Sequence, residues 1–236
     1  MFKNAGDRCA DCVAEPACPF SELSPEAREA FQAITETRIY APGASILRQG
    51  DPALGLFIVQ TGLVRVLHLT ATGKPVGVRM ASAGEILGLN EVITGDRYRQ
   101  SVEAVEQTRL EYVPRKRFVP FLFQYPEIAV EVLIRVSQDF AKLQDGLYEA
   151  AEGSPLGDRL LHKLQEFAGS CGVPTDRGVL LDVPLTVQDL AGTLGCSRQW
   201  ASKLLAEIES QGLIERNGRR ITLTGDAVPS ELLPTA

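Results

Sequence analysis

Short runs of β-forming residues, each closed by a glycine turn, fill residues 39–114. Two such runs, residues 56–61 and 63–67, flank Gly62, and a further turn is indicated at Gly73-Lys74. Turn signals at intervals of about eight to twelve residues are typical of a small antiparallel barrel or roll. The chain is therefore predicted to be an α+β protein that begins with an antiparallel β-roll.

Helical patterns flank this β-rich stretch. Ser24 followed by Pro25 is typical of a helix start, with Ser24 as the N-cap, and this short helix should reach Ile34. A long helix is predicted from Pro126, with apolar residues at alternating spacings of three and four. This heptad seam favours a partner helix in a coiled-coil dimer over an amphipathic helix lying on its own roll. The seam consists of Leu133, Val136, Phe140, Leu143 and Leu147.

The sequence Gly-Ser-Pro at 153–155 should end the long helix and begin a last domain. We expect a helix from Leu156 to Phe167, then a loop with Gly169, Gly172 and Pro174, in which Cys171 also lies. A strand is predicted over residues 179–183.

A helix-turn-helix is predicted next. Leu190, Ala191 and Leu194 form the buried stripe of its first helix, Gly195 permits the tight turn, and Ser197 can cap the second helix. Polar residues in the first turns of a recognition helix reach base edges. Here these residues are Arg198, Gln199, Ser202 and Lys203.

A basic hairpin follows the second helix. Asn217-Gly218 between two β-forming runs is a strong signal for a two-residue turn, and helices followed by a hairpin make a winged helix. The wing carries Arg216, Arg219 and Arg220, which suit contacts to phosphates. A unit of this kind can also serve protein contacts alone, and loss of specific DNA binding in Arg198→Ala would exclude that alternative.

Composition limits the other classes of function. The chain has 236 residues and a net charge of −6, and residues 154–236 hold eight Lys/Arg against ten Asp/Glu, so a DNA-binding face must be a local cluster. No apolar run approaches the roughly 18 residues of a membrane helix, and no signal peptide is evident, so a cytoplasmic protein is expected. His68 and His162 lie far apart, and no catalytic constellation is present, so the chain is predicted not to be an enzyme.

Three cysteines crowd the N-terminus in the spacing Cys9-x2-Cys12-x5-Cys18. Grouped cysteines in a reducing compartment favour metal or redox chemistry over structural disulfides. An iron–sulfur cluster, a zinc ion and a redox-active thiol pair all fit three thiols, and so does a remnant without function.

The chain resembles the CRP/FNR superfamily of regulators from about Phe20 to Thr224, in the sequence Gly-Cys-Ser-Arg at 195–198, in the glycine pattern of the roll and in the long helix. The resemblance implies a homodimer that binds a two-fold double-stranded DNA site and contacts RNA polymerase. Gln199 and Lys203 stand where the family usually has Glu and Arg, so the resemblance does not determine the sequence of the half-site.

The cysteine spacing, with Pro19-Phe20 after it, resembles the cluster motif of the oxygen-sensing branch. That resemblance implies a [4Fe–4S] cluster with a fourth cysteine at the end of the roll, where this chain has Glu111. Cyclic AMP is the other family ligand, and Glu85 and Arg99 are the residues that match its ribose and phosphate contacts.

We therefore predict a cysteine-rich sensor segment over 1–20, a β-roll effector domain over 21–124, a dimerisation helix over 125–153 and a winged helix-turn-helix domain over 154–236. The predicted function is transcription regulation in response to oxygen, nitric oxide or redox state through an iron–sulfur cluster. The alternatives are a regulator gated by a cyclic nucleotide or other small ligand without a metal centre, and an interaction module that does not bind DNA.

Overall fold

The computed structural model describes residues 20, 23–73, 75–151, 155–181, 183, 185–218, 220–229 and 232. These residues form two compact units. Cys9, Cys12, Cys18 and Arg219 lie outside the described residues. Among the described residues, no helix is long and apolar enough to span a membrane.

The β-rich stretch forms two four-stranded sheets among the described residues. The first has the order β1-β8-β3-β6, and the second has the order β2-β7-β4-β5. Neighbouring strands run antiparallel in the pairs β1/β8, β3/β8, β3/β6 and β2/β7. The strands are β1 Glu36–Tyr40, β2 Ser45–Leu47, β3 Gly55–Thr61, β4 Val64–Leu69, β5 Pro75–Ala81, β6 Ile86–Leu87, β7 Ser101–Ala104 and β8 Thr108–Pro114.

Gly62 makes the predicted turn between β3 and β4 possible. Its φ is +94°, and a β-carbon there would meet the backbone of Gln107 and Thr108 at 2.8 Å. A side chain would therefore be both strained and sterically blocked at this position. The predicted antiparallel roll is confirmed, with the turn where the glycine indicates it.

Three helices accompany the roll. Helix α1, Pro25–Ile34, begins as predicted, with the Ser24 hydroxyl accepting from the backbone N–H of Ala27. Helices α2, Leu89–Thr94, and α3, Arg115–Gln124, were not predicted. An aromatic cluster packs α1 against α3, with ring centroids 4.5 Å apart for Phe20 and Phe31 and 5.3 Å apart for Phe31 and Phe121.

The long helix α4, Pro126–Ala151, begins at the predicted proline. Ile128 and Val132 are buried, whereas Leu133, Phe140 and Leu143 have 60–68% of their surface exposed. Val136 is half-buried, and the side chain of Leu147 lies outside the described atoms. The described residues of the seam therefore form an exposed apolar strip along α4 in a single chain.

The C-terminal part of the chain combines helices with a third β-sheet. It contains α5 Leu156–Cys171, β9 Gly172–Thr175, β10 Gly178–Leu181, α6 Val187–Leu194, α7 Arg198–Ser210, β11 Ile214–Asn217 and β12 Arg220–Leu223. The strand order is β11-β12-β10-β9, and each pair of neighbours is antiparallel.

The predicted loop after Phe167 is wrong. Helix α5 continues to Cys171, whose thiol donates to the carbonyl of Phe167 at 3.0 Å, and Gly172 opens strand β9. A β-carbon on Gly172 would meet Val179 at 2.6 Å, so the glycine permits close packing of the two strands. Pro174 is tolerated because β9 is the edge strand of its sheet.

Candidate functional site

Local hydrogen bonds fix both helices of the helix-turn-helix. Thr186 and Asp189 form a capping box at the start of α6, with the Asp189 N–H donating to the Thr186 hydroxyl at 3.1 Å. Gly195 ends α6 with a φ of +66°. The Ser197 hydroxyl then accepts from the backbone N–H of Trp200 at 3.2 Å and caps α7 as predicted. The turn therefore aims the first residues of α7 by short-range interactions.

An apolar stripe anchors α7 and leaves the four polar residues that were predicted to reach base edges on the opposite face. Ala201, Leu204, Leu205 and Ile208 are each at most 6% exposed. The side chains on the opposite face are all exposed, namely Arg198, Gln199, Ser202 and Lys203. These four offer cationic, amide and hydroxyl groups to a major groove.

Trp200 shares this exposed surface. Its side chain is 44% exposed, and the ammonium of Lys203 lies 5.1 Å from the centroid of the indole ring. The sequence did not reveal this contact between Trp200 and Lys203. Because an aromatic ring face attracts a cation, the indole limits the positions that the Lys203 side chain can take.

The wing does not present its arginines uniformly. Arg216 is bound to Glu209 of α7, since its Nε donates to Oε2 of Glu209 at 2.8 Å and its backbone N–H donates to Oε1 at 3.2 Å. Arg216 beside it lowers the pKa of the Glu209 carboxyl, so the pair stays charged at neutral pH. Arg220 is exposed on β12. One of the three wing arginines that the sequence assigned to phosphates, Arg216, is therefore paired with a carboxylate of the protein itself.

The two candidate cyclic-nucleotide residues serve local contacts in the roll. Oε1 of Glu85 accepts from the backbone N–H of Ser82 at 2.9 Å. The side chain of Arg99 is 75% exposed and lies 3.4 Å from Asp96. Glu85 thus bonds within its own turn and Arg99 lies on the surface, and these two contacts do not by themselves form a ligand-binding site.

Glu111 lies in the middle of the first sheet. It is 2% exposed, and Oε1 accepts from the hydroxyl of Thr37 on the neighbouring strand at 2.6 Å. A buried carboxylate is costly unless a positive charge compensates it, and the Thr37 hydroxyl donates a hydrogen bond but carries no charge. In the described part of the chain, no group of three or more His, Cys, Asp or Glu could hold a metal ion.

Comparisons with known proteins identify both halves of the molecule. The cyclic nucleotide-binding domain family matches residues 37–125, and the Crp-like helix-turn-helix domain family matches residues 158–225. An anaerobic regulatory protein of Bacillus subtilis is 24% identical over 213 residues, which cover 89% of each chain. The chain belongs to the CRP/FNR family of transcription regulators. A global nitrogen regulator of Synechococcus elongatus is 25% identical over 183 residues, 77% of this chain and 82% of that one.

Solved structures share the fold of this CRP/FNR-family regulator. A c-di-GMP-responsive global regulator of Xanthomonas campestris has a TM-score of 0.72 at 23% identity, over 86% of this chain and 100% of that one. A CRP/FNR-family regulator of Thermus thermophilus has a TM-score of 0.68 at 23% identity, over 80% and 94%. The predicted fold class is confirmed. The relatives are transcription regulators rather than enzymes, and the matched helix-turn-helix is a DNA-binding domain.

Proposed function

We propose that this regulator acts in the cytoplasm as a homodimer that binds a two-fold site on double-stranded DNA. The observation that carries this proposal is the set of exposed polar side chains on the recognition helix α7, whose first turn is capped by Ser197. In the dimer, α4 of the partner chain would cover the exposed seam of α4. The two copies of α7 would then each face one half-site. RNA polymerase is the expected protein partner through which binding alters transcription.

We further propose that an oxidant-labile iron–sulfur centre controls this binding. Cys9, Cys12 and Cys18 would hold a [4Fe–4S] cluster, with Glu111 as the fourth ligand. When bound, such a cluster supplies a centre that oxygen or nitric oxide can dismantle. A carboxylate in place of a thiolate would make the centre more labile, which suits a sensor.

Two features of the fold support this assignment. The first is Phe20, which lies two residues after Cys18 in the sequence, is 2% exposed and stacks on Phe31 of α1. Phe20 also meets the edge of Phe118, 6.2 Å away, and Phe118 lies in α3 just after the strand that carries Glu111. The second feature is Glu111 itself, because the hydrogen-bond partner of this buried carboxylate is the neutral hydroxyl of Thr37.

Anaerobic purification followed by an absorbance scan and by iron and sulfide assays tests the sensor. We expect a coloured protein with iron and acid-labile sulfide in the wild type, and loss of both in Cys12→Ser. Glu111→Gln keeps an acceptor for Thr37 and should lower cluster yield, whereas Glu106→Gln changes an exposed glutamate just before β8 and should not. A folded protein that stays free of iron after reconstitution would contradict the cluster. Zinc at the thiols would show as a colourless protein with one bound metal ion.

Gating by a small ligand is the second candidate function, because the roll matches a cyclic nucleotide-binding domain. The local contacts of Glu85 and Arg99 disfavour it. Calorimetric titration of the purified protein with cyclic AMP tests it, and we expect no heat of binding.

A further inference from the structure

The recognition helix and the wing are joined by a charged contact near the end of α7. Glu209 lies in the last turn of that helix, and Arg216 lies in β11, beyond the turn at 211–213. One carboxylate accepts from the backbone N–H, the Nε and a terminal amino group of Arg216. The side chains are 31% and 34% exposed, so the contact is partly shielded from water.

The position of Glu209 calls for a partner. A negative charge in the last turn of a helix is unfavourable because the carbonyl end of the helix is itself negative. The same turn holds no basic residue. Arg216 offsets that cost, and a forked guanidinium–carboxylate contact is directional as well as strong.

The contact is separate from the backbone hydrogen bonds that attach the base of the wing to α7. The N–H of Leu213 donates to the carbonyl of Ile208 at 3.2 Å, and the N–H of Thr224 donates to the carbonyl of Leu213 at 3.0 Å. These bonds hold the base of the wing, whereas Arg216 directly precedes Asn217, the last residue of β11, which pairs with Arg220 across the hairpin. The turn thus begins after Asn217, one residue later than the sequence predicted. A second attachment nearer the tip fixes the angle at which the wing leaves the helix.

We propose that Glu209 and Arg216 are positioning residues for DNA binding. They hold the wing against the recognition helix, so that its remaining basic residues meet the phosphates while α7 lies in the groove. Arg216 itself makes no phosphate contact. This proposal rests on DNA binding by the helix-turn-helix and is independent of the sensor.

Binding to a duplex that the wild-type protein enriches from a random library tests this role, measured by fluorescence anisotropy at several salt concentrations. We expect Glu209→Gln and Arg216→Ala each to weaken binding by about five- to tenfold, and the double variant to be no weaker than either alone. The slope of log affinity against log salt should stay unchanged. Glu207→Gln removes an exposed charge from the same helix and is the matched control.

The alternative is that Arg216 leaves Glu209 to bind a phosphate. Arg216→Ala would then lower the salt slope by about 0.9, the loss of one phosphate contact. Glu209→Gln would bind DNA no more weakly than Glu207→Gln, since it frees the arginine. Either result would overturn the positioning role. The reversed pair, Glu209→Arg with Arg216→Glu, should recover binding if the contact positions the wing, and circular dichroism checks that each variant is folded.

Discussion

Trp200 is the single tryptophan of the chain, and it lies on the exposed face of the recognition helix beside Lys203. Its fluorescence therefore reports directly on the proposed DNA interface. We expect specific DNA to reduce the quenching of Trp200 by acrylamide, because the duplex covers this face. Quenching that is unaltered at saturating DNA would place the interface elsewhere.

Lys203 is expected to contact a base or a phosphate from a position that the indole restricts. Replacement by Gln should weaken specific binding by about 1–3 kcal/mol if a base contact is lost. The same variant removes a cation–π contact of about 0.5–1 kcal/mol and should change the emission of Trp200 in the free protein. Parallel anisotropy and emission measurements check both effects.

Ser197 caps the N-terminus of α7, the helix that carries the proposed DNA-reading residues. Ser197→Ala removes the hydroxyl that accepts from the N–H of Trp200 and should destabilise the protein by about 1 kcal/mol. Ser210→Ala at the other end of the helix is the control, since its hydroxyl makes only a solvent-exposed hydrogen bond to the carbonyl of Glu207 and its loss should change stability by less than about 0.5 kcal/mol. Chemical denaturation compares the two, and equal stabilities would exclude a capping role.

At the level of elements, α4 leaves an apolar seam on the surface of one chain. Leu143→Glu places a charge in that seam, and a two-fold dimer would meet it twice. Because burying a leucine contributes about 1.5–3 kcal/mol, we expect the dimer to weaken by roughly a hundredfold or more. Gln138→Glu adds the same charge at an exposed position outside the seam and should leave the dimer intact. Sedimentation velocity of the two variants decides whether the seam pairs two chains.

Elements set by short-range signals could be predicted from sequence. Ser24 and Ser197 cap the helices that they were predicted to cap, and Gly195 adopts the left-handed conformation of a tight turn. The end of α5 could not be predicted, because Gly172 and Pro174 indicate a loop unless the packing against Val179 and the edge position of β9 are known.

Contacts between distant residues gave no sequence signal. Thr37 and Glu111 are 74 positions apart and meet only through the register of β1 and β8. Arg216 was expected on phosphates because a basic wing residue usually suits them. Its partner Glu209 lies across a turn, and the charge pattern of the helix alone does not indicate that contact.

At the scale of the whole molecule, the proposed cluster at residues 9–18 must change the behaviour of a helix-turn-helix at residues 186–210. We propose that the intact centre favours pairing of α4 and hence alignment of two recognition helices, and that its loss shifts this equilibrium. Aromatic contacts offer a physical connection, because Phe121 packs on Phe31 and on Tyr125, which directly precedes α4.

The most direct measurement is the DNA affinity of one anaerobic preparation before and after exposure to air, with cluster absorbance recorded on the same sample. We expect affinity for the selected two-fold site to fall by about tenfold or more as the absorbance disappears, a coupling of at least about 1.4 kcal/mol. Cys12→Ser should bind weakly under both conditions. Equal affinity of the wild type before and after loss of the absorbance would contradict a cluster that controls DNA binding.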